Sequence, residues 1–179
     1  MNKELMSIKE EKKIVSIYYD RQDTSKYTVG YIVSLSEDDI ILNLIGQDGL
    51  NDGYMFLKIV DIFQIDTSGL YEAKIAKLVE LNKTKLENVN FGIDNLLMEF
   101  FKYAMDNRLI ITFQLCDSGE TDITGFILEI ADNVVKIKKV DNYGNDDGES
   151  VILLEDITLL ICNSNRECSL KLVFNASNL

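Results

Sequence analysis

Two stretches decide how this chain folds: NDGYMFLKIVDI, residues 51–62, and DDGESVILLEDI, residues 146–157. Both run Asp-Gly, then a strand-forming segment, then Asp-Ile, at one spacing. Gly53 and Gly148 are 95 residues apart, and sliding the chain by 95 aligns far more than these stretches. Gly30 falls on Gly125, Gly49 on Gly144, Ile32 on Ile127, Asp52 on Asp147, Asp61 on Asp156 and Ile62 on Ile157. Apolar positions follow, with Ile14 on Leu109, Val15 on Ile110, Tyr18 on Phe113 and Leu42 on Ile137, and no gap is needed. Self-similarity at a fixed offset is the mark of an internal repeat. The copies are 1–84 and 96–179, with the polar KLENVNFGIDN, 85–95, as the join.

Each copy reads as a helix followed by five short strands. In copy 2, Leu96, Leu97, Phe100, Phe101 and Ala104 lie on one helical face, and Asp94 can cap that helix. KKIVSIYYD and NRLIITFQLC are strand one, rich in β-branched and aromatic residues. YTVGYIVSLS and DITGFILEIA are strand two, each with a glycine inside it, which marks a bulge or sharp bend. IILNLI and VVKIKKV are strand three. Asp52-Gly53 and Asp147-Gly148 supply hairpin-turn chemistry before strand four. Asp61-Ile62 and Asp156-Ile157 mark a short hinge before strand five. YEAKIAKLVEL closes copy 1 as a helix, while ECSLKLVFNA in copy 2 suits a helix or a strand. Sequential strands joined by turns imply an antiparallel sheet, and a bent five-stranded sheet of this size is expected to close into a barrel.

A helix, five strands, a glycine in a bent strand two and a hinge after strand four resemble the Sm-like, SH3-type small barrel. Strand two of Sm proteins carries a glycine with apolar positions two and five residues later; Gly30, Ile32 and Leu35 match, as do Gly125, Ile127 and Ile130. The resemblance implies an α+β, mainly β chain of two tandem Sm-like barrels. It does not extend to the family's RNA site. Ser36 and Ala131 stand where the family has Asp, Ile40 and Val135 where it has Asn, and IVDI and LEDI replace its Arg-Gly or Lys-Gly signature. The strand-four pattern also resembles small proteins of low-GC Gram-positive bacteria.

The chain has 179 residues, 46% of them hydrophobic and 27% charged, which is a globular composition. Its net charge of −12 repels nucleic-acid phosphates and anionic membranes and favours a basic protein partner. The start, MNKELMSIKEEKK, lacks the apolar core of a secretory signal, and no apolar run is long enough to span a membrane, so a cytoplasmic location is expected. Histidine is absent, which removes the usual general base near neutral pH and the usual transition-metal ligand. Cys116, Cys162 and Cys168 are odd in number and form no C-x-x-C pair, so they read as reduced, structural thiols.

The loops ending at Gly53 and Gly148 invite a calcium reading. Leu50 and Tyr143 fall at ligand positions, and Ile59 and Leu154 stand where the closing Glu is needed, so turns are the better reading and no metal or cofactor is expected. Asp61 and Asp156 read as carboxylates accepting backbone N–H groups at the hinge. Residues singled out for partner binding are Tyr19, Tyr27 and Tyr31, aromatics on strands one and two, and Asp38 and Asp39 in the turn after strand two. Gly30, Gly53, Asp61, Gly125, Gly148 and Asp156 read as structural positions of the repeat. The expected function is a non-enzymatic protein-interaction module of antitoxin or immunity type, with strand edges leaving homo-oligomerisation open. The alternative is an Sm-like RNA-binding or ring-forming protein. An enzyme using carboxylates or a lone cysteine is the third reading.

Overall fold

A computed structural model describes residues 1–86, 89–115 and 123–177. The chain divides into two compact units, Met1–Leu97 and Met98–Leu179. Unit 1 holds helix α1 (Asn2–Glu10), strands β1 (Ile14–Tyr18), β2 (Tyr27–Leu35), β3 (Asp39–Ile45) and β4 (Asn51–Lys58), a 3-10 turn (Ile59–Asp61), β5 (Gln64–Thr67) and helix α2 (Leu70–Asn82). Helix α3 (Leu96–Asp106) starts at the division and leads unit 2. Strands β6 (Ile111–Leu115), β7 (Ile123–Ala131), β8 (Val134–Val140) and β9 (Asp146–Leu153), a 3-10 turn (Leu154–Asp156), β10 (Ile157–Cys162) and helix α4 (Asn165–Ser177) follow. The class is α+β and mainly strand. ECSLKLVFNA is therefore helical.

All strands pair antiparallel within each unit, in the orders β5-β1-β2-β3-β4 and β10-β6-β7-β8-β9. The expected barrel does not close. β4 leads through the 3-10 turn into β5, yet β5 pairs with β1 and not with β4, and β10 likewise pairs with β6 and not with β9. What bends each sheet is local. β2 carries a register shift between Ile32 and Ser34, and β7 one between Ile127 and Glu129. Just before each shift lies the glycine of strand two. A Cβ on Gly30 would fall onto the Asn43 carbonyl, and one on Gly125 onto the Lys138 carbonyl, so the backbones meet where only hydrogen fits.

The Asp-Gly pairs are not the hairpin turns. The turn between β3 and β4 is closed by Gly46 N–H to Leu50 O, and its counterpart by Asp141 N–H to Asn145 O. Asp52-Gly53 lies inside β4, where two residues face Leu44 alone, since Asn43 pairs with Tyr54 and Ile45 with Asn51. Gly53 and Gly148 have φ of 84° and 80°, the left-handed conformation of a glycine bulge. Asp-Gly serves turn and bulge equally, because both need a residue at positive φ.

The repeat is not gapless. Val15 pairs with Gly30, whereas Ile111 pairs with Gly125, so strand one runs at an offset of 96 and the strand-two glycine at 95. The helix ends agree: Lys13 N–H reaches Ile8 O in α1, and Leu109 N–H reaches Ala104 O in α3. Those ends place Lys12 and Arg108 in the left-handed region at φ 51° and 49°. Glycine is the usual residue there, and another costs roughly 1 kcal/mol.

The two units use the frame differently. β3 is buried along Ile40–Ile45, and Tyr54, Met55, Phe56 and Leu57 of β4 are buried too. In unit 2, Val135 and Ile137 are buried, but Lys136 and Lys138 alternate with them, and with Lys139 they pair with Glu149, Asp146 and Asp147 of β9. IILNLI against VVKIKKV already shows that difference: a continuous apolar run is buried on both faces, an alternating one on a single face.

Candidate functional site

The predicted partner residues separate into three places. Tyr27 opens the nine-residue β2 and Asp38 follows its far end, about 25 Å of extended chain away. They do not form one patch.

At the first place, strand pairing sets Tyr18 opposite Tyr27, and their rings lie 5.2 Å apart. Tyr71, from the first turn of α2, meets Tyr27 edge-on at 5.6 Å. Phe63 lies 6.3 Å from Tyr18 and carries the Arg21 guanidinium over its ring at 5.8 Å. The result is an aromatic cluster of Tyr18, Tyr27, Phe63 and Tyr71, with Tyr27 exposed and Leu70 beside Tyr71 at 94% exposure. The Tyr18 hydroxyl donates to the Asp66 carboxylate, which, with some burial, pushes the phenol up to about 12. Ionising this phenol sets a phenolate against a carboxylate, so the contact favours the fold below the ordinary phenol range, near pH 10, and its contribution is lost as pH rises towards 12. In a spectrophotometric titration one tyrosine is expected to ionise near 12, and Asp66→Asn to bring it back towards 10; an unchanged curve in that variant would remove the contact.

At the second place, Tyr31 is half-buried. It packs against Ile14, Val29, Ile45 and Ile75, and it lines a groove with Lys12, Glu72 and Ala76. At the third, Asp38 and Asp39 line a shallow hollow with Glu37, Lys58, Ile59 and Val60. Burial, with the neighbouring Asp38, raises the Asp39 carboxyl above its ordinary value, against the pull of Lys58. Tyr19 is half-buried at the end of β1.

Asp61 ends its 3-10 turn as expected, but its Oδ2 is buried without a hydrogen-bond partner. That oxygen therefore does not cap the backbone, and burial raises the carboxyl above its ordinary value. Asp156 ends the matching turn in unit 2. In the β3–β4 turn, Asp48 Oδ1 accepts from Leu50 N–H; in the β8–β9 turn, Asp141 Oδ1 accepts from the N–H groups of Tyr143 and Asn145. Their acidic residues fold their own loops. Among the described residues no group of three Cys, Asp or Glu side chains is placed to hold a metal ion. Cys162 is buried, which raises its thiol well above the ordinary range; Cys168 is exposed, and Cys116 lies outside the described residues.

Sequence reasoning missed one pair of acids. Glu72 and Glu167 are buried on the helices that close the two units. The Ser16 hydroxyl donates to Glu72 Oε1 at 2.5 Å, and the Thr112 hydroxyl to Glu167 Oε1 at 2.7 Å. Glu167 also accepts from the Ser164 hydroxyl and from its N–H at 3.2 Å, a capping box at the start of α4. The signal was present as Ser164-x-x-Glu167. With its acceptor sites turned to the protein's own donors, this carboxylate ties a helix start to strand one.

Among the described residues, no helix is long and apolar enough to cross a membrane. Comparison with protein-family profiles, curated protein sequences and solved structures gave no match for this chain.

Proposed function

We propose that the chain is a non-enzymatic, cytoplasmic protein-interaction module, each unit a variant of the Sm-like small barrel with an added C-terminal helix. The observation that carries the interaction reading is the aromatic cluster of Tyr18, Tyr27, Phe63 and Tyr71, with Arg21 at its margin. Tyrosine and arginine dominate binding hot spots because they bury much area for few rotatable bonds and keep a polar tip. The rings already brace one another, so little side-chain freedom remains to be lost on binding. The overall charge of −12 favours a basic protein as the partner, in keeping with an antitoxin-like or immunity-type role.

Support for the Sm-like reading comes from the leading helix, the order β5-β1-β2-β3-β4, the glycine and bulge of strand two and the 3-10 turn after strand four. The RNA-binding alternative meets an obstacle in the turn between β2 and β3. Ile40 is buried, and the Ser36 hydroxyl bonds with Asp39 backbone atoms, beside the carboxylates of Glu37, Asp38 and Asp39.

The test is quantitative capture from a lysate of the native host by the full chain and by a Tyr27→Asp, Tyr71→Asp variant that keeps its circular dichroism. At least one protein held by the wild type is expected to fall by about ten-fold with the variant, as loss of a hot-spot pair predicts. Equal retention of every captured protein sinks the reading.

A further inference from the structure

A groove in unit 2 runs between the end of α3, the middle of β7 and the outer turns of α4. Its volume is about 510 Å³, within the roughly 300–1,000 Å³ of ligand-binding clefts. Phe126 and Phe174 form its apolar floor, with ring centroids 5.2 Å apart. Arg108 and Lys171 stand at its sides, and among the described residues no aspartate or glutamate lines it. In a chain with 30 acidic residues against 18 basic ones, that lining is an exception.

Among the described residues neither cation is neutralised: none forms an ion pair with Arg108, and Lys171 Nζ donates to a neutral acceptor, the Asn107 carbonyl, at 3.3 Å. A third cation, Lys138, lies over the Phe174 ring at 5.5 Å and is paired with Asp146. Arg108 has φ 49°, in the left-handed region where glycine fits better.

The corresponding groove of unit 1 shows what is particular to unit 2. Lys12 replaces Arg108, Lys13 replaces Leu109, Tyr31 replaces Phe126 and Ala76 replaces Lys171, while Glu72 joins the lining. The volume falls to about 270 Å³. Each groove has two basic residues, but in unit 1 Lys13 is paired with Glu11 and an acidic residue joins the lining.

We propose that the unit 2 groove binds a short acidic peptide segment carrying an aromatic or aliphatic anchor, the anchor on Phe126 and Phe174 and its flanking carboxylates on Arg108 and Lys171. Charge complementarity selects the occupant: a basic segment would leave both cations facing like charge, and a neutral apolar one would leave them unpaired. This deepens the reading of the chain as a protein-interaction module and rests on it. It adds a surface where the locally favoured partner charge is opposite to that favoured by the whole molecule.

The probe is fluorescein-labelled Glu-Phe-Glu-Leu-Phe-Glu, acetylated and amidated, titrated into the full chain and followed by anisotropy and by amide chemical shifts. The expected result is one site per chain, with shifts confined to the surroundings of Arg108, Phe126, Lys171 and Phe174. Arg108→Gly, which suits the backbone, combined with Lys171→Ala should weaken binding by about ten-fold or more without lowering the melting temperature. Lys12→Gly should leave the affinity unchanged, and a peptide with Lys for Glu should not bind. Equal affinity for the two peptides, no binding below about 1 mM, or an unchanged affinity in the double variant overturns the proposal. Such a failure with tyrosine-dependent capture retained removes the groove alone. Loss of that capture with peptide binding intact removes the tyrosine surface alone.

Discussion

Gly30→Val is expected to destabilise the protein by about 3 kcal/mol or more, the range of overpacking in a site that cannot relax. The argument rests on what the new side chain meets. A Cβ at residue 30 collides with the Asn43 carbonyl oxygen and stands 3.0 Å from its carbon and 3.3 Å from Leu44 Cα. All three are backbone atoms of β3, paired with β2 at Gly30↔Leu44. No rotamer change relieves the contact; the strands must separate, and the pairs Tyr31↔Asn43 and Ile32↔Leu42 go with them. Gly125→Val meets the same geometry on Lys138 and Lys139 and should cost as much. Gly148→Ala is the internal control. Its Cβ meets nothing within 4 Å, and only its φ of 80° opposes the change, so about 1 kcal/mol is expected. Urea midpoints followed by circular dichroism decide the matter. Equal costs at 30 and 148 would show that β2 and β3 part readily and that close approach is not what requires the strand-two glycine.

That glycine was legible in the sequence because its cause is local: a bend within strand two leaves no room for a Cβ, and the residue type announces it. Asp52-Gly53 was legible as a positive-φ site but not as a bulge, since only the partner strand distinguishes the two. The offset of strand one was hidden by Leu109-Ile110-Ile111, three apolar residues in a row that fit either alignment. In α4, Leu170 is buried while Leu172 is 72% exposed and Val173 46%, so its apolar residues trace no single face and the segment suited two structures. The candidate surfaces were less legible still. Tyr27 stands out in the sequence as an aromatic on strand two, but the partner that braces it, Tyr71, arrives from a helix 44 residues later. The unit 2 groove depends on Arg108 in a left-handed conformation, which glycine would have signalled and arginine does not. Tyr31 was read as a strand face and became a groove wall, because α2 returns over β2 in a way that no period-two pattern encodes.

Glu167→Ala should cost about 3 kcal/mol, more than a helix cap alone, because the carboxylate satisfies donors on two elements. On its removal the Ser164 N–H and hydroxyl lose their acceptor at the start of α4, and the Thr112 hydroxyl loses its own in β6. Arg166 is left with Thr112 Oγ1 at 2.9 Å and Asn142 Oδ1 at 3.2 Å, and its anionic neighbour, 3.7 Å away, is gone. Ser164, Thr112 and Glu167 are all buried, so water does not readily take over. Glu167→Gln keeps the shape and one acceptor oxygen, and about half the loss is expected, since the amide can satisfy one of the two sides. Glu72→Ala provides the comparison within the same molecule. Gly69 stands where unit 2 has Ser164, so the cap side chain is missing and Ser16 is the hydroxyl that depends on this acid. Its cost should be smaller by about 1 kcal/mol, the usual worth of a serine cap. Denaturant midpoints of the three variants rank these effects. A Glu72→Ala loss as large as that of Glu167→Ala would mean that the strand contact, and not the capping box, holds the closing helix in place.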